Sequence, residues 1–260
     1  MYETIKFETQ SNKAYISLNR PEVYNALNAK MLQELLDAIL HCQTNSEIRV
    51  VILSGGNSKA FCSGADLKEG LSDSNLGNSL RANYNPLILA MRNLKKPIVC
   101  KLNGLAAGAG MSLALACDLI IGDENAFLSE LFVGIGLIPD AGSMYFLPRL
   151  IGPLKAFELC STGRKVFMEE ALALGLVNKI ASSSDLNIEI EKIADQYAVA
   201  ATVSIGMMKQ ILNQSYLSSL EEILELEAIS QTICGQSRDF SEGVSSFIEK
   251  RLPIFQGKWD

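Results

Sequence analysis

Apolar residues alternate with polar ones in TIKFET and AYISLN, and the polar Ser11-Asn12-Lys13 between them predicts a β-hairpin. From Leu27 the period changes. LNAKMLQELLDAILHCQ carries the 3.6-residue repeat of an amphipathic helix, with Asn28 placed as its N-cap. VVILSG, PIVCKLNG and CDLIIGD are short, nearly all-apolar runs that end in turn residues, and the helical patterns NYNPLILAMRNLKK and AGMSLALA lie between them. Strand–helix alternation with strands apolar on both faces predicts an α/β fold around a largely parallel sheet. Past about Pro148 the pattern turns helical in EEALALG, DLNIEIEKIADQYAVA, TVSIGMMKQILNQS, SLEEILELEAISQTI and RDFSEGVSSFIEKRL. Several of these open on Ser, Thr or Asp, as helix starts do, and two carry Glu in the first turn. The pattern divides the chain into an α/β core over 1–195 and a helical region over 196–260.

Composition narrows the function classes. The 260 residues are 48% hydrophobic and 20% charged, with a net charge of −6. An acidic chain with no dense basic block argues against nucleic acid or an anionic membrane as partner. No apolar run approaches the ~18 residues of a membrane span, and MYETIKFETQ has no basic stretch leading into an apolar one. The six cysteines are scattered with no C-x-x-C pair, which predicts free, buried thiols in a reducing, cytoplasmic setting. The single histidine, His41, falls near the C-terminal end of the first predicted helix, where the helix dipole favours its cationic form. One histidine argues against zinc and against Ser–His or Cys–His catalysis. Acid–base chemistry is left to a carboxylate, Lys, Tyr or Cys.

One carboxylate is out of place. GLIPDAGSMYFLPRL sets Asp140 in an apolar run, between Pro139 and Ala141-Gly142. It either caps a helix starting near Gly142-Ser143 or serves as a reacting acid. Two glycine-bearing junctions, AFCSGADLKE and LNGLAAGAGMSLALACD, lead from a strand towards a helix. Exposed N–H groups at such junctions can hold an anion or a polarised oxygen, and small residues at 106–110 let a ligand approach the main chain. Gly104, Gly108 and Gly110 would equally allow close helix–sheet packing. No Gly-Lys-Ser/Thr follows, and G-x-x-x-G-x-G has the wrong order for a dinucleotide fingerprint.

SLNRPEVYNALN, AFCSGADLKE, KPIVCKLNGLAAGAGMSLALACDLIIG, GLIPDAGSMYFLPRLIG and EGVSSFIEKRLPIFQGK follow one another in this order. That succession resembles the crotonase, or enoyl-CoA hydratase/isomerase, superfamily over essentially the whole chain. The resemblance implies a spiral of ββα units, a C-terminal helical trimerisation region, and trimers that often pair into hexamers. It implies an acyl-CoA substrate whose thioester oxygen sits between the N–H groups of Ala65 and Ala109. By the same resemblance the segment Val23, Tyr24, Asn25, Ala26 and Leu27 lines the CoA nucleotide end. Ser63, Gly64, Asp66, Leu67, Gly108 and Phe132 complete the substrate-binding set, with Lys258 reaching in from the same or a neighbouring subunit. CoA is part of the substrate, so neither cofactor nor metal is implied.

The chain also departs from the family. Hydratases of this family add water with two glutamates, at positions held here by Ser112 and Phe132. Asp140 instead matches the D-x-G-[TS] turn of family isomerases, and the departures resemble the phenylacetate-pathway epoxide–oxepin isomerases. Three activities follow: an acyl-CoA isomerase using Asp140, a hydratase using an acid elsewhere, or a non-catalytic acyl-CoA-binding protein. Phe132, Leu137, Ile138 and Phe146 are expected to desolvate Asp140 and raise its pKa above ~3.9. Glu130 reads as a solvated acid at a strand end, on the face of Phe132 and ~6.5–7 Å from it along the chain. The C-terminal helices carry an apolar stripe, Ile223, Leu224, Leu226, Ile229 and Ile233, suited both to their own domain and to a subunit interface.

Overall fold

The computed structural model describes residues 2–70 and 75–258. Its hairpin joins β1 (Ile5–Gln10) to β2 (Lys13–Leu18). Ser11 and Asn12 both take positive φ, 51° and 64°, as the tight turn of a twisted hairpin requires. Asn28 caps α1 (Ala29–Thr44), its side chain accepting the Met31 N–H at 2.9 Å. Met31, Leu32, Leu35, Ala38, Ile39 and Cys42 form the buried face of that helix.

Three ββα units follow. In each, a strand of a six-stranded sheet runs into a strand of a smaller four-stranded sheet and then into helix. The pairs are β3 (Val50–Ser54) with β4 (Ala60–Cys62), β5 (Ile98–Leu102) with β6 (Leu105–Ala107), and β7 (Leu119–Asp123) with β8 (Phe127–Ser129). β9 (Val166–Phe167) and β10 (Lys179–Ala181) complete the sheets, ordered β1-β2-β3-β5-β7-β10 and β4-β6-β8-β9. From β2 to β10 the large sheet is parallel, and β4, β6 and β8 are parallel neighbours in the small one. The chain therefore leaves β4, β6 and β8 at the same end of the small sheet, and those three exits build the site.

After α1, and apart from the single turns Leu67–Gly70 and Leu76–Ser79, the helices of the core are α2 (Asn85–Asn93), α3 (Ala109–Leu115), α4 (Ser143–Thr162), α5 (Met168–Leu174) and α6 (Leu186–Ala198). A π-helical turn, Leu80–Tyr84, precedes α2. α4 breaks at Gly152, where φ 76° and ψ 161° leave the helical region beside Pro153. α6 lays Leu186, Ile190, Ala194 and Ala198 on Val50, Ile52, Val99 and Ile121. All five residues of β3 are consequently buried, as a parallel strand covered on both faces should be. The division expected after residue 195 falls inside α6, a helix that is part of this core.

α7 (Thr202–Gln214), α8 (Leu220–Gly235) and α9 (Arg238–Glu249) close the chain. Ser219 and Ser237 cap α8 and α9, the former in a full capping box with Glu222. Asp185 and Thr202, read as caps from the sequence, make no such bond, and Thr202 is already the first helical residue. α8 buries none of its residues, and Leu224, Ile229 and Ile233 stand exposed along it. All six cysteines are free thiols; four are buried as expected, whereas Cys160 on α4 and Cys234 on α8 are only partly so. Among the described residues no helix is long and apolar enough to cross a membrane.

Candidate active site

The exit from β4 carries Ala65. Leu27 donates its N–H to the Gly64 carbonyl at 2.8 Å and accepts the Asp66 N–H at 2.9 Å. This parallel bridge uses the groups on either side of Ala65 and turns its own N–H away from Leu27. Among the described residues that N–H meets no acceptor. The exit from β6 carries Ala109, first residue of α3, whose N–H has no acceptor within the helix. The two exits touch. A Cβ on Gly64 would lie 2.8 Å from the Ala107 carbonyl oxygen and 3.6 Å from the Ala109 nitrogen, and Gly64 has φ +103°. Glycine is required there on both counts. Phe132 packs its ring on Gly108, 3.7 Å from the position a Cβ would take.

The exit from β8 carries Asp140. It does not cap α4: the N-cap is Gly142, with no side-chain cap bond. Ala141 (φ 48°) and Gly142 (φ 93°) are consecutive left-handed residues, an uncommon conformation for the alanine. The Asp140 carbonyl accepts the Ser143 N–H at 3.1 Å and the Ser112 hydroxyl at 2.9 Å. Ser112 is on α3, one turn past Ala109, so the carboxylate turn is tied to the helix that opens on an oxyanion donor. Asp140 Oδ1 is buried without a hydrogen-bond partner among the described residues. Burial pushes its pKa up from the ordinary 3.8 to about 6. Phe132 and Phe146 are buried as expected, but Ile138 is 78% exposed and turns outward, and Leu137 is 36% exposed, so the shielding of the acid falls mainly to the two phenylalanines.

Glu130 corrects the sequence reading. It is neither solvated nor in a strand. β8 ends at Ser129, and Leu131–Ile135 form a 3-10 turn closed by left-handed Gly136, which carries Phe132 away from strand geometry. Glu130 is 1% exposed. Its Oε1 lies 2.6 Å from the Ser143 hydroxyl oxygen, and its Oε2 is buried without a partner among the described residues. Burial raises its pKa to about 7, with the charge of Asp140 adding to the rise and the Ser143 bond opposing it. Ser143 and Ser112 in turn share a hydrogen bond of 2.8 Å. Tyr84, in the π-helical turn, is also near. Its phenol is pushed up by burial, and the charges of Asp140, Cys62 and Asp66 add to that. Ser143 shows in the sequence only as the last residue of the D-x-G-[TS] turn, and Tyr84 carries no signal, since a buried neighbour so far along the chain is a property of the fold.

The remaining predicted residues divide. Val23, Tyr24 and Leu27 are stapled to the β4 exit: Ser63 donates its N–H to Tyr24 O at 3.0 Å and its hydroxyl to Val23 O at 3.3 Å. Asn25 is a structural hub rather than a lining residue. Its amide donates to Gly55, Ala60 and Phe61 carbonyls and its Oδ1 accepts the Arg20 N–H. Ala26 O and Asp66 Oδ2 both bind the Arg20 guanidinium, at 2.7 and 2.9 Å, which fixes the loop bearing Ala65. Leu67 is exposed beside it. Lys258 is not brought to this site within one chain. It pairs with Glu47 at 3.0 Å, before β3 begins, whereas Ala65 follows the strands at their other end.

Comparisons with known proteins give this fold its family. Residues 8–258 match the family model for enoyl-CoA hydratase/isomerase. The chain is 39% identical to a Rhodobacter capsulatus protein named "Probable enoyl-CoA hydratase", over 99% of both chains. It is 34% identical to the 1,2-epoxyphenylacetyl-CoA isomerase of Escherichia coli, over 99% of this chain and all of the other. The crystal structure of enoyl-CoA hydratase from Bacillus anthracis superposes with a TM-score of 0.94 at 31% identity, covering 98% of this chain and 100% of that one. The chain belongs to the enoyl-CoA hydratase/isomerase family, within the crotonase superfamily, and has its fold.

Proposed function

We propose that this chain is an acyl-CoA isomerase in which Asp140 carries the proton. The Asp140 carboxylate takes a proton from C2 of a 3-enoyl thioester, and the electron pair moves onto the thioester oxygen, held by the Ala65 and Ala109 N–H groups. The dienolate takes the proton back at C4. The double bond then lies between C2 and C3, the carboxylate is restored, and nothing is added or lost. A preorganised donor aimed at such an oxygen is typically worth ~3 kcal/mol. A pKa raised towards neutrality makes Asp140 a stronger base than an ordinary aspartate. The observation that carries this reading is the Asp140 carboxyl itself, which caps nothing and has a buried, unpartnered oxygen in a turn bonded to α3. Ser112 and Phe132, where hydratases of the family hold glutamates, point the same way. The name of the Escherichia coli relative makes a ring epoxide of an acyl-CoA the alternative substrate for the same shuttle.

The name of the Rhodobacter relative favours a second reading, a hydratase. Glu130 is the acid available for it, but at 1% exposure it would have to leave its bond to Ser143 to meet a substrate. We also infer that the exposed faces of α8 and α9 assemble three copies, or six, and that Lys258 of a neighbouring copy reaches the CoA. Proton NMR of 3-hexenoyl-CoA in deuterated water tests the chemistry. Isomerisation gives the conjugated 2-enoyl product, hydration a 3-hydroxy product, and a binding protein neither. Asp140→Asn keeps the size of the side chain and removes the base. It should lower turnover ~10²–10⁴-fold with thioester affinity kept; wild-type turnover in that variant would sink the mechanism.

A further inference from the structure

Three buried side chains form a hydrogen-bonded chain that ends on the proposed proton carrier. Glu130 Oε1 lies 2.6 Å from Ser143 Oγ, Ser143 Oγ lies 2.8 Å from Ser112 Oγ, and Ser112 Oγ lies 2.9 Å from the Asp140 carbonyl oxygen. All three residues are buried, so no water supplies missing protons from the side. Counting protons then fixes the direction. Each hydroxyl has one hydrogen, and the Asp140 carbonyl can only accept. If Ser112 donates to that carbonyl, Ser143 must donate to Ser112, and Glu130 must donate to Ser143. That requires a protonated Glu130. If Glu130 is ionised, Ser143 turns to it, Ser112 turns to Ser143, and the Asp140 carbonyl loses the Ser112 hydroxyl.

We propose that Glu130 is a positioning residue for Asp140, acting as a neutral acid that drives the Ser143 and Ser112 hydroxyls onto the Asp140 carbonyl. The proposal rests on the reading of Asp140 as proton carrier. Three observations support it. Glu130 Oε2 has no partner among the described residues, which a carbonyl oxygen tolerates far better than a carboxylate oxygen does. The turn it secures contains left-handed Ala141 and Gly142, a conformation that persists only where its surroundings hold it. The titratable groups that face Glu130 also keep it neutral. Asp140 sits before α4 and contributes a negative charge when ready to act as a base; the Cys160 thiol, on α4, is itself raised by burial and by Glu130. Glu130 is buried away from any substrate, so its effect passes through the two serines.

The test uses Glu130→Leu, Glu130→Gln and Ser143→Ala, with thermal melting to confirm folding. Glu130→Leu and Ser143→Ala both cut the chain and should lower kcat for 3-hexenoyl-CoA about 10- to 100-fold, the scale of a misplaced reacting group, with KM within about twofold. Glu130→Gln should rescue that loss, because its amide donates to Ser143 as the neutral acid does. It should also lack the fall in kcat on the alkaline side that ionisation of Glu130 gives the wild type. Infrared difference spectra supply a readout independent of turnover: a neutral carboxyl band at pH 6, lost by pH 9, and reduced in Glu130→Gln to the part that Asp140 contributes. Wild-type kcat and pH profile in both Glu130→Leu and Ser143→Ala, beside an inactive Asp140→Asn, would overturn this proposal alone. An infrared band left undiminished by Glu130→Gln would do the same. A fully active Asp140→Asn would overturn the proton-carrier reading and this one with it.

Discussion

Asp140 and Glu130 make the native protein more stable in mild acid than at neutrality. Both titrate higher in the fold than in an open chain, Asp140 at about 6 against 3.8 and Glu130 at about 7 against 4.5. Between those values the native state binds more protons than the unfolded state, so stability falls as pH rises through the window and levels off above about 7. Below about 4 both groups are protonated in either state, and the difference disappears. For fully buried Glu130 the effect is on the order of 3 kcal/mol. Chemical denaturation from pH 4.5 to 8 should therefore show a decline that Glu130→Gln flattens; an unchanged slope in that variant would contradict its burial. Gly64 makes the opposite case, a residue whose replacement harms both stability and activity. Gly64→Ala puts a Cβ against the Ala107 carbonyl at positive φ. It should destabilise by at least about 1 kcal/mol and lower kcat by shifting the neighbouring Ala65 N–H; turnover equal to wild type would show that the donor does not depend on this close approach.

At the scale of elements, α7 is held to the core by charge rather than by an apolar face alone. Lys209 is buried and donates to Asp118 Oδ2 at 2.7 Å and to the Met91 carbonyl at 2.9 Å, while Asp118 Oδ1 takes Arg92 at 2.9 Å. Lys209→Met keeps the stem and removes the charge. It leaves Asp118 with fewer partners, and about 3 kcal/mol of stability should be lost in urea denaturation; a neutral outcome would mean that Arg92 and the Ile98 N–H together satisfy Asp118. Periodicity made α1 and the parallel strands legible, because Asn28 and the all-apolar VVILS follow local rules. The three exits were legible as glycine-bearing junctions, and Asp140 as an acid among turn formers. Glu130 was misread because its burial comes from α4 folding back over the β8 exit, a contact with Ser143 thirteen positions away. No local pattern encodes that contact. The 3-10 turn at Leu131–Ile135 was missed for a related reason, since its apolar residues mimic strand alternation until Gly136 closes it.

For the whole molecule the decisive feature is how much apolar surface the C-terminal helices leave uncovered. Leu220, Leu224, Ile229 and Ile233 on α8 are exposed, and so are Phe240, Val244, Phe247 and Ile248 on α9. A monomer rarely keeps so many large apolar side chains in contiguous reach of solvent without a partner for them. Burying such a face contributes roughly 25 cal/mol per Å² of apolar area, and obligate interfaces commonly exceed ~2,000 Å². The assembly should therefore persist at micromolar concentration, with light scattering giving three or six times 28.3 kDa. Ile229→Asp together with Ile233→Asp places two charges on the α8 stripe without touching the three strand exits. That variant should dissociate and, if Lys258 of a neighbouring copy helps to hold CoA, should raise KM more than it lowers kcat. A wild-type particle of 28.3 kDa would refute the assembly. A dissociated double variant with unchanged KM would leave the assembly standing and remove Lys258 from the thioester site.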